Sequence, residues 1–380
     1  MQGNMKLATI GLTYAHKRMI LDAKVPGVDY YSYQNWYNPF IKKILHTYEV
    51  YPPLFQSHID AYHTFNTIML TNKPWCVTFE TFIPRSEKLY NINHHDSFDA
   101  PKGRLLRKAL EVLARDNCKK MIAYTKCNLQ LQLKMNELYP DLTDTLNKKT
   151  CYIECPQELF VSHPQTETPD KVKFFFMGRD FVRKGLPEVI TALYAVSKLR
   201  NDFELNLITD TTHMSNYAFR DFQDTKEDQE RINRIIEESK DWLHIYKPMA
   251  YTACIDMMKS CHVGILTTWA DTLGFSSLDM QAAGLPIITT NVRAQPEINP
   301  HGWMVNLPVN YANEVGLKSR EQKENVRKLF INQLIDIFSK ILDNKEDIVK
   351  RSELSFNHII QNHSLENYSK KLANIYKTFS

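Results

Sequence analysis

The sequence predicts an α/β protein built from two Rossmann-like domains, and three observations carry this prediction. Short apolar segments alternate with amphipathic helical segments along the chain, which is the rhythm of parallel α/β sheets. The chain has 380 residues, which suits two domains better than one core. A polar, proline-containing segment at residues 157–171 separates two runs of this pattern and is interpreted as a linker.

The first half contains four apolar segments that predict strands, at residues 6–11, 59–63, 75–79 and 121–125. One amphipathic segment, residues 102–120, repeats leucine, alanine and valine at helical spacing between basic residues. An aromatic segment at residues 30–40 offers rings that either stack on sugars or pack in a core.

The second half repeats the alternation with a different set of segments. Strands are predicted at residues 172–177, 203–209, 262–267 and 285–290, and helices at residues 186–199, 228–240, 320–343 and 358–379. Two such halves leave a central cleft, and ligands of these sheets bind in clefts of this kind. We therefore expect the two domains to face a central binding cleft.

Charge is unevenly distributed between the two halves. Residues 1–150 contain 20 Lys and Arg against 13 Asp and Glu, whereas the remainder contains 27 against 30. The basic first half indicates an acidic partner, such as anionic lipid, a phosphate-bearing acceptor or nucleic acid, or else ordinary surface charge. No nucleic-acid-binding motif accompanies the basic residues, so we expect no nucleic-acid partner.

The remaining composition points to the cytoplasm. The apolar runs are too short to span a bilayer, and the first residues lack the apolar core of a secretory signal. The seven cysteines are scattered without a repeating spacing, which favours reduced thiols over a disulfide framework. Cys151 and Cys155 have no second ligand pair nearby, so no metal site is predicted there.

The first segment with chemical character is GRDFVRKG, residues 178–185, directly after a predicted strand. Glycines allow the backbone to approach a ligand closely, and a strand-to-helix loop collects backbone N–H groups. Arg179 and Lys184 add positive charges that suit a diphosphate. A charged surface turn would show the same pattern, so this segment alone leaves both interpretations open.

A second segment, residues 269–286, places Asp271 and Asp279 eight residues apart around a Gly274–Phe275 turn. If a helix begins near Ser276, its free N–H groups point between the two acids. Asp279 can then accept hydrogen bonds from vicinal hydroxyls of a sugar or ribose. The alternative is a packed helix that carries two solvated acids.

Together the two segments resemble retaining glycosyltransferases of family 4, which have the GT-B fold. The resemblance rests on GR-x4-KG, on DTLGFSSLDMQAAGLPIITT about ninety residues later, and on the QPEI that follows. It covers residues 150–380 and is faint before them. It implies an N-terminal acceptor-binding domain at residues 1–160 and a nucleotide-sugar-binding domain at residues 161–357. It also implies that a final helix, residues 358–380, returns to the N-terminal domain.

The resemblance also implies roles for individual residues. Arg179 and Lys184 would hold the donor diphosphate, Asp271 would contact hydroxyls of the donor sugar, and Asp279 would contact the ribose. The donor-binding set is completed by the turn residues, by a residue of the segment 246–249 near the base, and by the remnant of a glycine-rich loop: Gly274, Phe275, Met249 and Gly11. The donor would be UDP- or GDP-linked, and neither a metal nor another cofactor is expected.

The chain departs from the family pattern at several positions. Both family glutamates are aspartates here, and Arg293–Ala294 replaces a glycine pair. Where the family often has a histidine, this chain has Glu80, which either takes over a catalytic role in the cleft or marks the loss of that role. His63 is a second catalytic candidate, the alternative being a histidine satisfied within the core. His94-His95-Asp96 is interpreted as a solvated or acceptor-binding loop.

The predicted function is transfer of a sugar from a nucleotide sugar to an acceptor hydroxyl, with retained configuration. Bacterial-type surface glycan assembly is the expected setting, with a glycan or lipid-linked acceptor at the inner face of a membrane. The catalytic candidates are Asp271, Glu80 and His63. Two rivals remain: a catalytically inactive partner subunit of the same fold, and a protein that binds or modifies nucleic acid.

Overall fold

The computed structural model describes residues 4–11, 13–33, 50–53, 57–85, 98, 103–212 and 214–379. The chain divides into two compact units, the first formed by Met1–Pro156 with His363–Ser380 and the second by Gln157–Asn362. These divisions lie close to the predicted domain boundaries. Within the described ranges, every helix is too short or too polar to cross a bilayer.

The first unit has a parallel sheet with helices on its faces. Its strands are β1 Met5–Ile10, β2 Val28–Tyr33, β3 Val50–Tyr51, β4 Ala61–Phe65, β5 Ile68–Met69, β6 Trp75–Phe79, β7 Cys118–Ala123 and β8 Thr150–Tyr152. The helices before the second unit are α1 Tyr14–His16, α2 Arg104–Ala114, α3 Lys126–Asn136 and α4 Pro140–Lys149. A π-helical turn, Lys17–Leu21, extends α1.

Six strands form the main sheet of the first unit in the order β2-β1-β4-β6-β7-β8, and β3 pairs with β5 separately. Strands β4 and β6 are buried at every residue, as expected for parallel strands covered on both faces. The four strands predicted in this half are present, with shifted ends for β4 and β7. The aromatic segment begins as the edge strand β2, and its residues 34–40 lie outside the described residues.

The second unit repeats this architecture. Its strands are β9 Val172–Met177, β10 Phe203–Ile208, β11 Leu243–Tyr246, β12 Val263–Leu266, β13 Ile287–Thr290 and β14 Trp303–Val305. Its helices are α5 Leu186–Ser197, α6 Lys226–Glu238, α7 Tyr251–Lys259, α8 Phe275–Ala282, α9 Gln295–Ile298, α10 Arg320–Asp343 and α11 Glu346–Asn362. A 3-10 turn, Tyr217–Phe219, lies between β10 and α6.

All pairs in the second sheet are parallel, in the order β11-β10-β9-β12-β13-β14. Counted from β9 this is the order 3-2-1-4-5-6 of a dinucleotide-binding Rossmann sheet. The predicted α/β fold with two Rossmann-like domains is therefore confirmed. The predicted linker is part of this unit, since the Gln165 side-chain amide donates to the carbonyls of His262 and Gly284, at 2.8 and 3.0 Å.

The last helix belongs to the first unit, which includes His363–Ser380. The single helix expected at residues 358–379 is broken: α11 ends at Asn362, and α12, Leu365–Tyr376, follows with Ser364 as its cap. The Tyr368 hydroxyl donates to the Met19 carbonyl at 2.7 Å. The chain thus contributes its first and last segments to one unit and the continuous middle to the other.

Candidate functional site

The strand order of the second unit reverses between β9 and β12. The connection from β9 leads to β10 on one side, whereas β12 leads to β13 on the other, and ligands of open α/β sheets bind at such a reversal. The loops that follow these two strands hold Lys184 and Asp271, and the Lys184 ammonium is ion-paired with the Asp271 carboxylate. The two motifs identified in the sequence therefore meet at the expected edge of the sheet.

Close contact of the two loops explains the second glycine of GRDFVRKG. Gly185 has φ +74°, and a Cβ there would lie 2.0 Å from the carbonyl oxygen of Thr267. The backbone N–H of Trp269 donates to the Arg183 carbonyl at 2.9 Å, and the Arg183 guanidinium donates to the Ala270 carbonyl at 2.7 Å. Glycine is required here because the backbone approaches the neighbouring loop, whereas the sequence suggested an approach to a ligand.

The charges of this pair are strongly coupled. The side chains of Lys184 and Asp271 are only 9% and 18% exposed. Burial by itself would raise the pKa of Asp271, but the positive charges of Lys184 and Arg183 outweigh it, so the pKa lies below its ordinary value. Burial lowers the pKa of the Lys184 ammonium, and the Asp271 charge opposes that effect. Asp271 is therefore a carboxylate at neutral pH.

Arg179 differs from Lys184 in its surroundings. It is exposed on the loop after β9, and among the described residues it makes no ion pair. Its neighbour Asp180 adopts φ +61° and is ion-paired with Arg183. Arg183, for which no role was predicted, thus connects the two loops. The only signal for it was a third cation between Arg179 and Lys184.

The Gly274–Phe275 turn begins α8 one residue earlier than expected. Gly274 has φ +76°, and a Cβ there would lie 2.4 Å from Leu266 Cδ2 and 3.3 Å from an Asp271 carboxylate oxygen. The fully buried Gln295 holds this turn: its side chain bonds the Leu273 carbonyl and accepts from the Ser277 hydroxyl at 2.9 Å. The segment after β13 therefore positions the turn next to Asp271.

Two further predicted donor contacts are placed differently. Asp279, the fifth residue of α8, is 2% exposed, so its carboxylate is less accessible than a hydroxyl-binding role assumes. Met249 follows β11 at the carboxyl edge of the sheet, half-buried against the core of the second unit.

Residues with unusual backbone angles lie near this edge. Besides Asp180, the positive φ angles of non-glycine residues include Arg220, Arg293 and Asn313, at +50°, +52° and +56°. Such strain concentrates at functional sites. Arg293, which replaces a family glycine, is 2% exposed and lies 3.4 Å from Glu314. A glycine adopts this positive φ angle without strain, which explains why glycine is usual at this position in the family. In this chain the ion pair with Glu314 compensates the buried charge of Arg293.

Glu80 of the first unit is held at the end of β6 by several groups. The Tyr124 hydroxyl donates to one carboxylate oxygen at 2.9 Å, and Arg85 donates to the other at 2.9 Å. Asn66, after β4, accepts from the Glu80 backbone N–H at 2.8 Å and donates to its carboxylate at 3.4 Å. Both oxygens are thus engaged, so a catalytic role for Glu80 would require an exchange of partners.

The prediction that His63 is catalytic is wrong, because its side chain lies in the core of the first unit. It is 0% exposed, and its ring nitrogens lie 2.7 Å from the Tyr376 hydroxyl and 2.8 Å from the Thr78 hydroxyl. Burial, together with the His16 charge, lowers the pKa of His63 to about 3. Since both nitrogens have partners within the first unit, the core alternative holds and a catalytic role does not.

Gly11 ends β1 with φ +131°, and a Cβ there would lie 3.4 Å from the His16 ring. His16 is 1% exposed, burial lowers its pKa to about 4, and its two ring nitrogens bond no group among the described residues. His94, His95 and Asp96 lie outside the described residues. Within the described ranges, no group of three or more His, Cys, Asp or Glu side chains is arranged to hold a metal ion.

Comparisons with known proteins agree with this geometry. Residues 161–310 match the family model of glycosyl transferases group 1. No curated protein matches the chain significantly by sequence.

Solved structures with the same fold span nearly the whole chain. A glycosyltransferase from Rickettsia africae is 16% identical with a TM-score of 0.62 and covers 100% of this chain and 99% of its own. Anabaena HepE, in complex with UDP and glucose, is 11% identical with a TM-score of 0.61, covering 99% and 100%. Sucrose-phosphate synthase from Thermosynechococcus elongatus is 13% identical with a TM-score of 0.60, covering 98% of each. The chain is thus similar to glycosyl transferases group 1 over residues 161–310 and shares its fold with these solved structures over nearly its whole length.

Proposed function

We propose that the chain moves a sugar from a UDP- or GDP-linked donor to an acceptor hydroxyl, with retained configuration and without a resident metal. The second unit binds the donor. The observation that carries this proposal is the Lys184–Asp271 pair, because it joins both motifs at the strand reversal of a Rossmann sheet. The pair also lies within the segment that matches glycosyl transferases group 1.

The reaction needs negative charge stabilised on the departing diphosphate. The acceptor oxygen bonds the anomeric carbon, the bond from that carbon to the phosphate oxygen breaks, and the acceptor proton passes to the diphosphate. Arg179 and Lys184 supply fixed positive charge for the leaving group, with the N–H groups that begin α5 and α8 nearby. Asp271 accepts from sugar hydroxyls and orients the anomeric carbon. Such electrostatic assistance requires no protein nucleophile.

Uridine nucleotides are the first donors to examine. HepE is found with UDP and glucose, and an E. coli protein of similar fold is found with UDP-2-fluoro glucose. Both are similar to this chain over almost its full length, although at only 10 to 11% identity. They support a nucleoside diphosphate sugar as the ligand class and leave the sugar itself open.

The first unit binds the acceptor in this proposal, and α2 is a candidate membrane contact for surface glycan assembly. Leu105 is 48% exposed beside the exposed Arg104 and Lys108, while the other leucines of α2 are buried. Arg107 is already neutralised by Glu111 and Asp141, each at 2.7–2.9 Å. An exposed leucine between cations suits an anionic lipid surface.

A panel of nucleotide sugars tests the proposed function. A true donor should raise the melting temperature of the protein, because a ligand that binds only the folded state stabilises it. The same donor should then release nucleoside diphosphate slowly in water and faster with acceptor. Stabilisation without any turnover would favour a binding subunit of this fold, and no response to any nucleotide sugar would refute the proposal.

A further inference from the structure

The 3-10 turn Tyr217–Phe219 follows β10 at the same edge of the second sheet. Phe219 is fully buried and packs edge-on against Trp269, with ring centroids 5.0 Å apart. The Asn216 side chain caps the turn by accepting from the Ala218 N–H at 3.0 Å. Gln223 bonds both the N–H and the carbonyl of Asn216, at 3.0 and 2.7 Å. The turn is therefore rigidly anchored on the loop that carries Asp271.

This anchored turn presents one exposed aromatic ring. Tyr217 is 60% exposed, whereas its neighbours Ala218 and Phe219 are 3% and 0% exposed. The Arg183 guanidinium lies 5.5 Å from the centroid of the Tyr217 ring, in cation–π contact. Arg183 itself is fixed by Asp180 and by the Ala270 carbonyl. The orientation of the ring is thus set by a residue between Arg179 and Lys184.

The Tyr217 hydroxyl lies among the charges of the site. Limited hydration among the surrounding protein atoms raises the pKa of Tyr217 to about 12, and the charges of Arg183, Asp271, Glu314 and Arg293 all act on it. Tyr217 thus lies within electrostatic range of both the Lys184–Asp271 and the Arg293–Glu314 pairs.

We propose that the ring of Tyr217 packs against the sugar of the bound donor and helps to select it. This inference rests on the proposed function, since it places Tyr217 in the lining of the same donor site. In the proposed function Asp271 accepts from sugar hydroxyls. The Tyr217 ring is held by Arg183, which also bonds the Ala270 carbonyl next to Asp271, and a flat ring can cover the C–H face of a pyranose while its own hydroxyl stays polar. Exposure of a rigidly held ring is explained by a ligand that covers it.

Comparison of UDP-glucose with UDP, and of GDP-mannose with GDP, tests the assignment by calorimetry. Tyr217→Ala should weaken binding of the nucleotide sugar roughly tenfold and leave binding of the nucleoside diphosphate unchanged. Tyr217→Phe keeps the ring and should retain affinity for the nucleotide sugar. Leu199→Ala is the matched control, because Leu199 is 90% exposed and precedes the amino end of β10, at the opposite edge of the sheet.

The outcomes separate this inference from the function on which it rests. Equal weakening of nucleotide sugar and nucleoside diphosphate would place the ring on the nucleoside and overturn a sugar contact. Unchanged affinity in Tyr217→Ala, with Lys184→Ala impaired, would overturn the role of Tyr217 and leave the donor site intact. Absence of binding by the unaltered protein to all four probes would refute the donor site itself. An unchanged melting temperature in Tyr217→Ala shows that the fold is not the cause.

Discussion

The Lys184 ammonium and the Asp271 carboxylate form an ion pair although 87 residues separate them in the chain. Each follows a strand of the same parallel sheet, and β9 and β12 are neighbours in that sheet. The pair is mostly buried, so each charge depends on the other for compensation. In the proposed function, donor binding and the stability of the second unit are therefore coupled at Lys184, and this coupling distinguishes it from Arg179.

Removal of the two cations should have different consequences. Arg179→Ala should weaken UDP binding by roughly tenfold to a hundredfold with an unchanged melting temperature, because an exposed contact to phosphate is lost. Lys184→Ala should weaken UDP binding. It should also destabilise the protein by about 3 kcal/mol, since the Asp271 carboxylate stays charged and loses its ion-pair partner. Calorimetry and urea unfolding measure both quantities. Lys226→Ala, at an 85% exposed side chain, is the control.

Changes at Asp271 should mainly affect turnover. In the proposed function, Asp271→Asn removes the charge that accepts sugar hydroxyls, so kcat with the best donor should fall. The melting temperature should fall as well, because the buried Lys184 ammonium loses its compensating charge. Asp271→Glu adds a methylene where Gly274 is close, so it should also reduce kcat. Initial rates over a range of donor concentrations measure both. Higher activity in the glutamate variant would mean that the site has decayed from a glutamate ancestor.

A substitution at Arg293 tests which contributes more to stability, the relief of backbone strain or the ion pair with Glu314. Arg293→Gly relieves a left-handed backbone worth about 1 kcal/mol but removes the cation that lies 3.4 Å from the buried Glu314, at a cost of about 3 kcal/mol. We expect net destabilisation in urea unfolding. Combination with Glu314→Gln should recover much of the loss. If Arg293→Gly alone were stabilising, the ion pair would contribute little.

Because His63 is buried in its neutral form, we expect the stability of the protein to fall in acid. His63 has a pKa of about 3 in the folded protein and an ordinary value of 6.5 when unfolded. Between these two values the unfolded chain binds a proton at His63 that the folded protein does not bind. The stability that the neutral His63 contributes is therefore complete above pH 6.5 and is lost as pH falls from 6.5 toward 3. The slope is ~1.4 kcal/mol per pH unit. His63→Gln should flatten the decline of unfolding free energy between pH 7 and pH 5; an identical decline would contradict this account.

Vesicle co-sedimentation tests the proposed membrane contact of α2. The protein should bind anionic vesicles at low salt and detach at high salt, because exposed charges are screened. Replacing both Arg104 and Lys108 with Glu should abolish binding, with Lys226→Glu and Lys240→Glu in the second unit as controls. Equal binding to neutral vesicles, or none to either kind, would leave a soluble acceptor as the better account.

The sequence pointed to the residues of the two loops that meet at the strand reversal but not to the contacts between them. Arg179, Lys184 and Asp271 could be found because glycines and charges recur around them in a family pattern. The pairing of Lys184 with Asp271 could not, since it depends on which strands become neighbours. Arg183 was missed for the same reason: its partner Ala270 contributes only a backbone carbonyl, and backbone groups leave no trace in a sequence.

Predictions for the first unit were weaker because the relevant contacts are distant in sequence. His63 has its partners 15 and 313 residues away, at Thr78 and Tyr376. A histidine in an apolar strand looks the same whether it faces a ligand or two hydroxyls. Glu80 was identified as a polar replacement, yet its engagement by Tyr124 and Arg85 appears only when the ends of β6 and β7 are placed side by side.

The return of α12 to the first unit has a consequence for synthesis of the chain. The second unit is continuous, Gln157–Asn362, so all of its residues emerge from the ribosome before the first unit is complete. Until α12 has emerged, His63 lacks Tyr376 and the Met19 carbonyl lacks Tyr368. The unit translated first is therefore finished last, and a chain that ended before residue 365 would leave the first unit without the α12 contacts to His63 and to the Met19 carbonyl.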